Sequence, residues 1–114
     1  MASTDCIFCR IPRDPNAEVV YRDDRVYVIR DIAPRAPVHL LIIPLQHLGG
    51  LAHISAGQLP IMGQLFVVAE EMARREGVTI SGYRVIMNQG PDSGQAVPHL
   101  HMHLLAGHKL ADLG

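Results

Sequence analysis

Between positions 99 and 105 the chain reads His-Leu-His-Met-His-Leu-Leu, so imidazoles alternate with apolar side chains. In an extended strand successive side chains point to opposite faces. The spacing predicts His99, His101 and His103 on one face and Leu100, Met102 and Leu104 on the other. The apolar face can enter a core and fix the strand, which leaves the imidazole face for chemistry. Histidine changes charge near neutral pH without assistance. Three in one row, in a chain with seven, are hard to explain as packing, because perturbed histidines concentrate in functional sites. His53 and His108 stand alone and read as surface residues.

The remaining pattern frames that strand in a small α+β domain. A chain of 114 residues implies one domain over 1–114. Val19-Val20-Tyr21 and Val26-Tyr27-Val28-Ile29 flank a polar Arg22-Asp23-Asp24 turn and predict a hairpin. Val38 to Ile43 lacks alternation and predicts a strand covered on both faces. Leu59, Met62, Phe66, Ala69 and Ala73 form one apolar stripe, so the long helix lies between about Gln58 and Glu76. Ser55 and Gln58 have capping-box spacing, but Pro60 favours a slightly later start. Gly77 ends the helix, and Tyr83 to Asn88 alternates as a strand. A short helical turn is expected from Cys6 to Ile11, ending near Pro12. The order predicts an antiparallel sheet with one long helix, a short N-terminal helix and a sheet face left for ligand.

Hydrophobic residues make up 48% and charged residues 18%, values of a globular chain rather than a disordered one. The net charge of −1 offers no basic footprint for nucleic acid. No apolar run approaches a membrane span, and the first residues carry no secretory pattern, so the expected compartment is cytoplasmic. Cys6 and Cys9 are spaced C-x-x-C, which in a reducing compartment points to metal or redox chemistry rather than a structural disulfide.

The His-x-His-x-His segment followed by two apolar residues resembles the signature of the histidine-triad (HIT) superfamily. The stretch Asp31 to Pro44 resembles its ribose-binding strand and the strand that follows, and Asn88 to Gln95 resembles its phosphate loop. The matches run from about Cys6 to Gly107 and are most similar to the Hint branch of nucleoside phosphoramidate hydrolases. The resemblance implies the HIT-like fold, a purine nucleotide as ligand and a homodimer. It implies hydrolysis of AMP-amine conjugates through a covalent nucleotidyl intermediate on His101. His103 then contacts the phosphate or leaving group, and His39 supports the site. Asp31 accepts the ribose hydroxyls, while Asn88, Gln95 and the amides of Gly94, Gln95, Ala96 and Val97 meet phosphate and ribose. Ile7, Phe8, Ile11, Ile29 and Ile32, core residues by default, become the purine sandwich. Dinucleoside polyphosphate hydrolysis, as in the Fhit branch, and a regulatory nucleotide-binding module are the alternatives.

The resemblance also implies a structural zinc site, completed at Cys6 and Cys9 by His47 and His99. Four protein ligands leave no open position, so no metal is required for catalysis. Two positions and the C-terminal tail depart from the Hint pattern. Ala96 stands where serine is common, which removes one hydroxyl contact worth about 1 kcal/mol. Pro98 stands where aromatics are common, and the tail from His108 to Gly114 has no tryptophan to shape leaving-group choice.

Overall fold

The computed structural model describes residues 5–113. Five strands form one antiparallel sheet: β1 (Tyr21–Arg22), β2 (Val26–Arg30), β3 (Val38–Pro44), β4 (Tyr83–Ile86) and β5 (Met102–Ala106), in the spatial order β1-β2-β3-β5-β4. Helix α1 (Ile7–Arg10) continues as a 3₁₀ turn over Ile11–Arg13, and helix α2 (Leu59–Arg75) is the long one. No helix among the described residues is long and apolar enough to cross a membrane.

Strand alternation divides the buried residues between two sides of the sheet. Val26 and Val28, Leu40 and Ile42, and Met102 and Leu104 pack with Leu65, Val68 and Met72 of α2. Tyr27, Leu41 and Ile43 point the other way and pack with Phe8 of α1. Strand β3 is thus covered on both faces, as its unbroken apolar run predicts. Burying each such side chain contributes about 1.5–3 kcal/mol, and the larger cluster lies on the α2 side.

The boundaries differ from the sequence expectations in local ways. The Ser55–Gln58 box caps a 3₁₀ turn over Ala56–Gln58, with the Ser55 N–H donating to Gln58 Oε1 at 2.8 Å. The α-helix begins one residue later and takes Pro60 into its first turn, where a missing N–H costs nothing. Gly77 follows the helix at φ +72°, a left-handed conformation suited to glycine. The hairpin is tighter than Val19–Tyr21 implied. Asp23 Oδ1 accepts the Arg25 and Val26 amides at 2.7 and 2.8 Å, so Arg22 is drawn into β1. Strand β4 stops at Ile86 instead of Asn88, and the histidine strand enters the sheet only at Met102.

Candidate active site

A cavity of about 790 Å³ opens on the α1 side of the sheet, a size in the usual range for small-molecule sites. Ile7, Phe8, Ile11 and Ile29 form its apolar end. Asp31, His39, His101, His103 and Asn88 supply polar groups, and Gly94, Ala96 and Val97 border it from the loop before the histidine row. Ile32 also lines it and is fully exposed. Every nucleotide-site residue expected from the sequence lines this cavity except Gln95. That side chain is spent on backbone: its Oε1 accepts Gly90 N–H at 2.8 Å, and its Nε2 donates to Gly49 and Val97 carbonyls at 3.0 and 3.2 Å.

The alternation of the histidine row survives although only part of the row is in the ladder. Leu100, Met102 and Leu104 are buried in the α2-side core. The imidazoles lie on the other side, with His101 and His103 ring centroids 5.1 Å apart and Phe8 edge-on to His101 at 5.1 Å. Register sets the neighbours: His103 faces Leu41 of β3 and Ile86 of β4, while His39 faces Leu105. His39 and His103 are therefore diagonal neighbours on one face, a separation that long side chains bridge.

The hydrogen-bond partners assign the tautomers, because a carbonyl only accepts and a peptide N–H only donates. His101 Nδ1 lies 2.7 Å from the His99 carbonyl, so Nδ1 carries the proton and neutral His101 keeps its lone pair on Nε2. The Arg35 peptide N–H donates to His39 Nδ1 at 3.0 Å, so the proton of neutral His39 sits on Nε2. That Nε2 is 2.9 Å from His103 Nδ1 and 3.4 Å from Asp31 Oδ2. His103 Nδ1 is then an acceptor, and its own proton is on Nε2. Burial pushes the His103 pKa down to about 4, helped by the neighbouring His101 and His39. Burial also lowers His39, against the opposing pull of Asp31. Both imidazoles are consequently neutral at pH 7 in the protein itself.

The loop before the histidine row offers main-chain donors. A 3₁₀ turn over Pro91–Ser93 closes at Gly94, whose φ of +86° is left-handed. The Gly94 and Gln95 amides are used inside the loop, bonding the Pro91 and Gly90 carbonyls. The Ala96 and Val97 amides make no such bond among the described residues, and both residues border the cavity. Two adjacent amides without an internal partner are donors that an anion in the cavity can use.

His99 belongs to a different group. Its Nε2 donates to the Pro44 carbonyl at 2.8 Å, which turns Nδ1 toward Cys6 Sγ at 3.4 Å and Cys9 Sγ at 3.6 Å. His47 Nδ1 is 3.1 Å from Cys9 Sγ, and the four candidate ligand atoms all lie within 4.8 Å of one another. Tetrahedral zinc with ordinary N and S bond lengths sets its ligands about 3.3–3.8 Å apart, close to this spacing. Burial raises the Cys6 thiol above its usual range, so a thiolate there needs a cation beside it. The donor set, count and spacing fit zinc, and the Pro44 carbonyl provides the outer partner that metal-bound histidines have. The histidine row thus serves two places, His99 at the Cys/His cluster and His101 with His103 at the cavity. His53 and His108 are both exposed, as expected.

This fold and this cavity are those of a nucleotide-binding family. A HIT domain model matches residues 13–110, and the chain belongs to the HIT family. It is 41% identical over 110 residues to a purine nucleoside phosphoramidase from Escherichia coli, covering 96% of this chain and 92% of that one. It is 43% identical over 102 residues to a 14 kDa zinc-binding protein from Zea mays, covering 88% and 79% of the two chains. A histidine triad protein from Clostridium difficile superposes with a TM-score of 0.94 at 41% identity, covering 100% of both chains.

Sequence reasoning missed three polar residues that line the cavity, Arg30, Arg35 and Ser93. Arg35 carried one weak signal, its position four residues after Asp31 in the same proline-bounded loop. Nothing in the pattern marked the peptide group of Arg35 as the partner of His39.

Proposed function

We propose that this chain is a purine nucleoside phosphoramidase that cleaves the P–N bond of nucleoside 5′-phosphoramidates by double displacement at His101. The observation that carries this reading is the tautomer order. His101 has its Nδ1 proton engaged by the His99 carbonyl, which leaves Nε2 free to attack phosphorus. The P–N bond breaks as the nucleotidyl-imidazole bond forms. The phosphoramidate nitrogen takes a proton from solvent and leaves as the amine, and the water that then attacks phosphorus loses one to solvent as the nucleotide is released. His103 keeps its Nε2–H, which donates to the phosphate or the leaving nitrogen. His39 holds His103 in the required tautomer, and the Ala96 and Val97 amides take the phosphate oxygens. Asp31 binds the ribose hydroxyls and Asn88 the phosphate, while Ile7, Phe8, Ile11, Ile29 and Ile32 enclose the purine. Gly94 shapes the loop, and Gln95 acts by bracing it.

Zinc at Cys6, Cys9, His47 and His99 supplies a structural cross-link when bound, joining α1 to the segment that leads into β5. The residues act as one domain over 1–114 in the cytoplasm, where both thiols stay reduced. The protein works as a homodimer without nucleic-acid or membrane partners. Leu59, Phe66 and Val67 are exposed along one side of α2, with only open space over Gly63 between them. The free edge of β4 adjoins the same sheet.

The test is turnover of an adenosine 5′-phosphoramidate with rapid quench. Labelled nucleotide should appear on His101, and His101→Ala should lose at least about a thousandfold in kcat. Product formation without an adduct, or an active His101→Ala protein, overturns the reading. A sensing module would bind AMP and turn over neither conjugate nor analogue.

A further inference from the structure

We propose that Arg35 is a specificity determinant whose guanidinium selects nucleotidyl conjugates with a negatively charged leaving group. The proposal rests on the phosphoramidase reading above. Three residues with fixed charge line the cavity: Arg30, Asp31 and Arg35. Arg30 is committed to Glu76 through two bonds of 3.1 and 2.9 Å. Asp31 accepts the Ala33 N–H at 2.8 Å through Oδ1 and faces His39 through Oδ2. The Arg35 guanidinium is exposed and has no hydrogen bond or ion pair among the described residues. It is the uncommitted cation of the cavity.

Its main chain fixes where that charge can act. The Arg35 N–H is bonded to His39 Nδ1 at 3.0 Å, and His39 Nε2 is 2.9 Å from His103. The side chain therefore starts beside the His39–His103 pair. Its charge is felt there, since it opposes protonation of both His39 and His103. A guanidinium presents forked donors that match carboxylate, sulfate or phosphate in two parallel bonds. The chemistry it recognises is an anionic group carried by the portion that departs when His101 attacks.

The test compares two adenosine 5′-phosphoramidates of matched size, one built on an aminodicarboxylate and one on its neutral diamide. Arg35→Gln retains the peptide N–H at His39, so it removes only the charge. The ratio of kcat/KM for the anionic over the neutral conjugate should fall about tenfold in Arg35→Gln. Arg35→Lys should keep part of it, and added salt should lower the ratio in the native protein alone. An unchanged ratio overturns the proposal, as does an equal loss on both conjugates, which would place Arg35 on the nucleotide or the loop. If the native protein turns over neither conjugate, the phosphoramidase reading fails. Arg35 is then judged by equilibrium titration. Arg35→Gln should weaken adenosine 5′-phosphosulfate relative to AMP, and equal affinities in both proteins would overturn the proposal.

Discussion

The Nδ1–H of His101 donates to the backbone carbonyl of His99 at 2.7 Å, while the His99 ring turns its own Nδ1 toward Cys6 and Cys9. One residue therefore joins the Cys/His cluster through its side chain and orients His101, the proposed nucleophile, through its main chain. Disturbing the cluster should reach the cavity along two covalent steps.

Cys9→Ser should reduce bound zinc from one per chain to nearly none, measured by metal analysis of protein purified without chelator. Losing a ligand of a structural site should lower the melting temperature by about 10 °C, and kcat should fall with it. A zinc-free native protein, or a variant that melts where the native one does, contradicts the metal assignment.

Acid should weaken the fold before it protonates the carboxylates. The His103 pKa is about 4 in the folded protein against an ordinary 6.5. Between those values the unfolded chain binds more protons, so stability is complete above pH 6.5 and declines as pH falls toward 4. Urea unfolding at pH 7.5 and 4.5 should differ by about 2 kcal/mol from this group alone. The difference should shrink in His103→Asn, and an identical pH dependence in both proteins would refute the assignment.

Tyr27 is fully buried and its hydroxyl donates to the Phe8 carbonyl at 2.6 Å. This bond ties α1, with both thiols and part of the apolar pocket, to the sheet. Tyr27→Phe leaves that carbonyl without a partner and should cost about 1–3 kcal/mol in urea unfolding. Amide exchange of Cys9 and Arg10, whose N–H groups bond the Cys6 carbonyl, should accelerate in parallel. Unchanged exchange there would mean that α1 is held by packing alone.

Gln95 bridges three backbone groups of two loops. Gln95→Ala should therefore destabilise the protein with no nucleotide present, by about 2 kcal/mol. A side chain serving only as a phosphate contact would leave the unfolding midpoint alone and raise KM. Denaturant melts without nucleotide separate the two.

What the sequence made legible follows from which features repeat. The two faces of the histidine row and the double cover of β3 were readable because strand alternation is periodic and local. The long helix was readable from its period, but its buried face was not. Leu65, Val68 and Met72 enter the core with Ala69 and Ala73, whereas Leu59 and Phe66 of the expected stripe are exposed, because the face turned to the sheet is offset from them. The division of the row between His99 and the His101–His103 pair was not readable from spacing, since it depends on Pro44, His47 and α1 meeting residue 99. The bracing bonds of Gln95 were not readable for the same reason: its partner Gly49 becomes a neighbour only through the fold. Arg35 escaped notice because a lone cation in a loop has no period to announce it.

The bond from the residue-35 peptide group to His39 comes from main chain, so every amino acid except proline can furnish it. Evolution can exchange the side chain at this position without scrambling the proton order of the reaction. Under the proposed mechanism, one locus thereby pairs a main-chain duty that almost any residue performs with a side-chain duty that is free to vary.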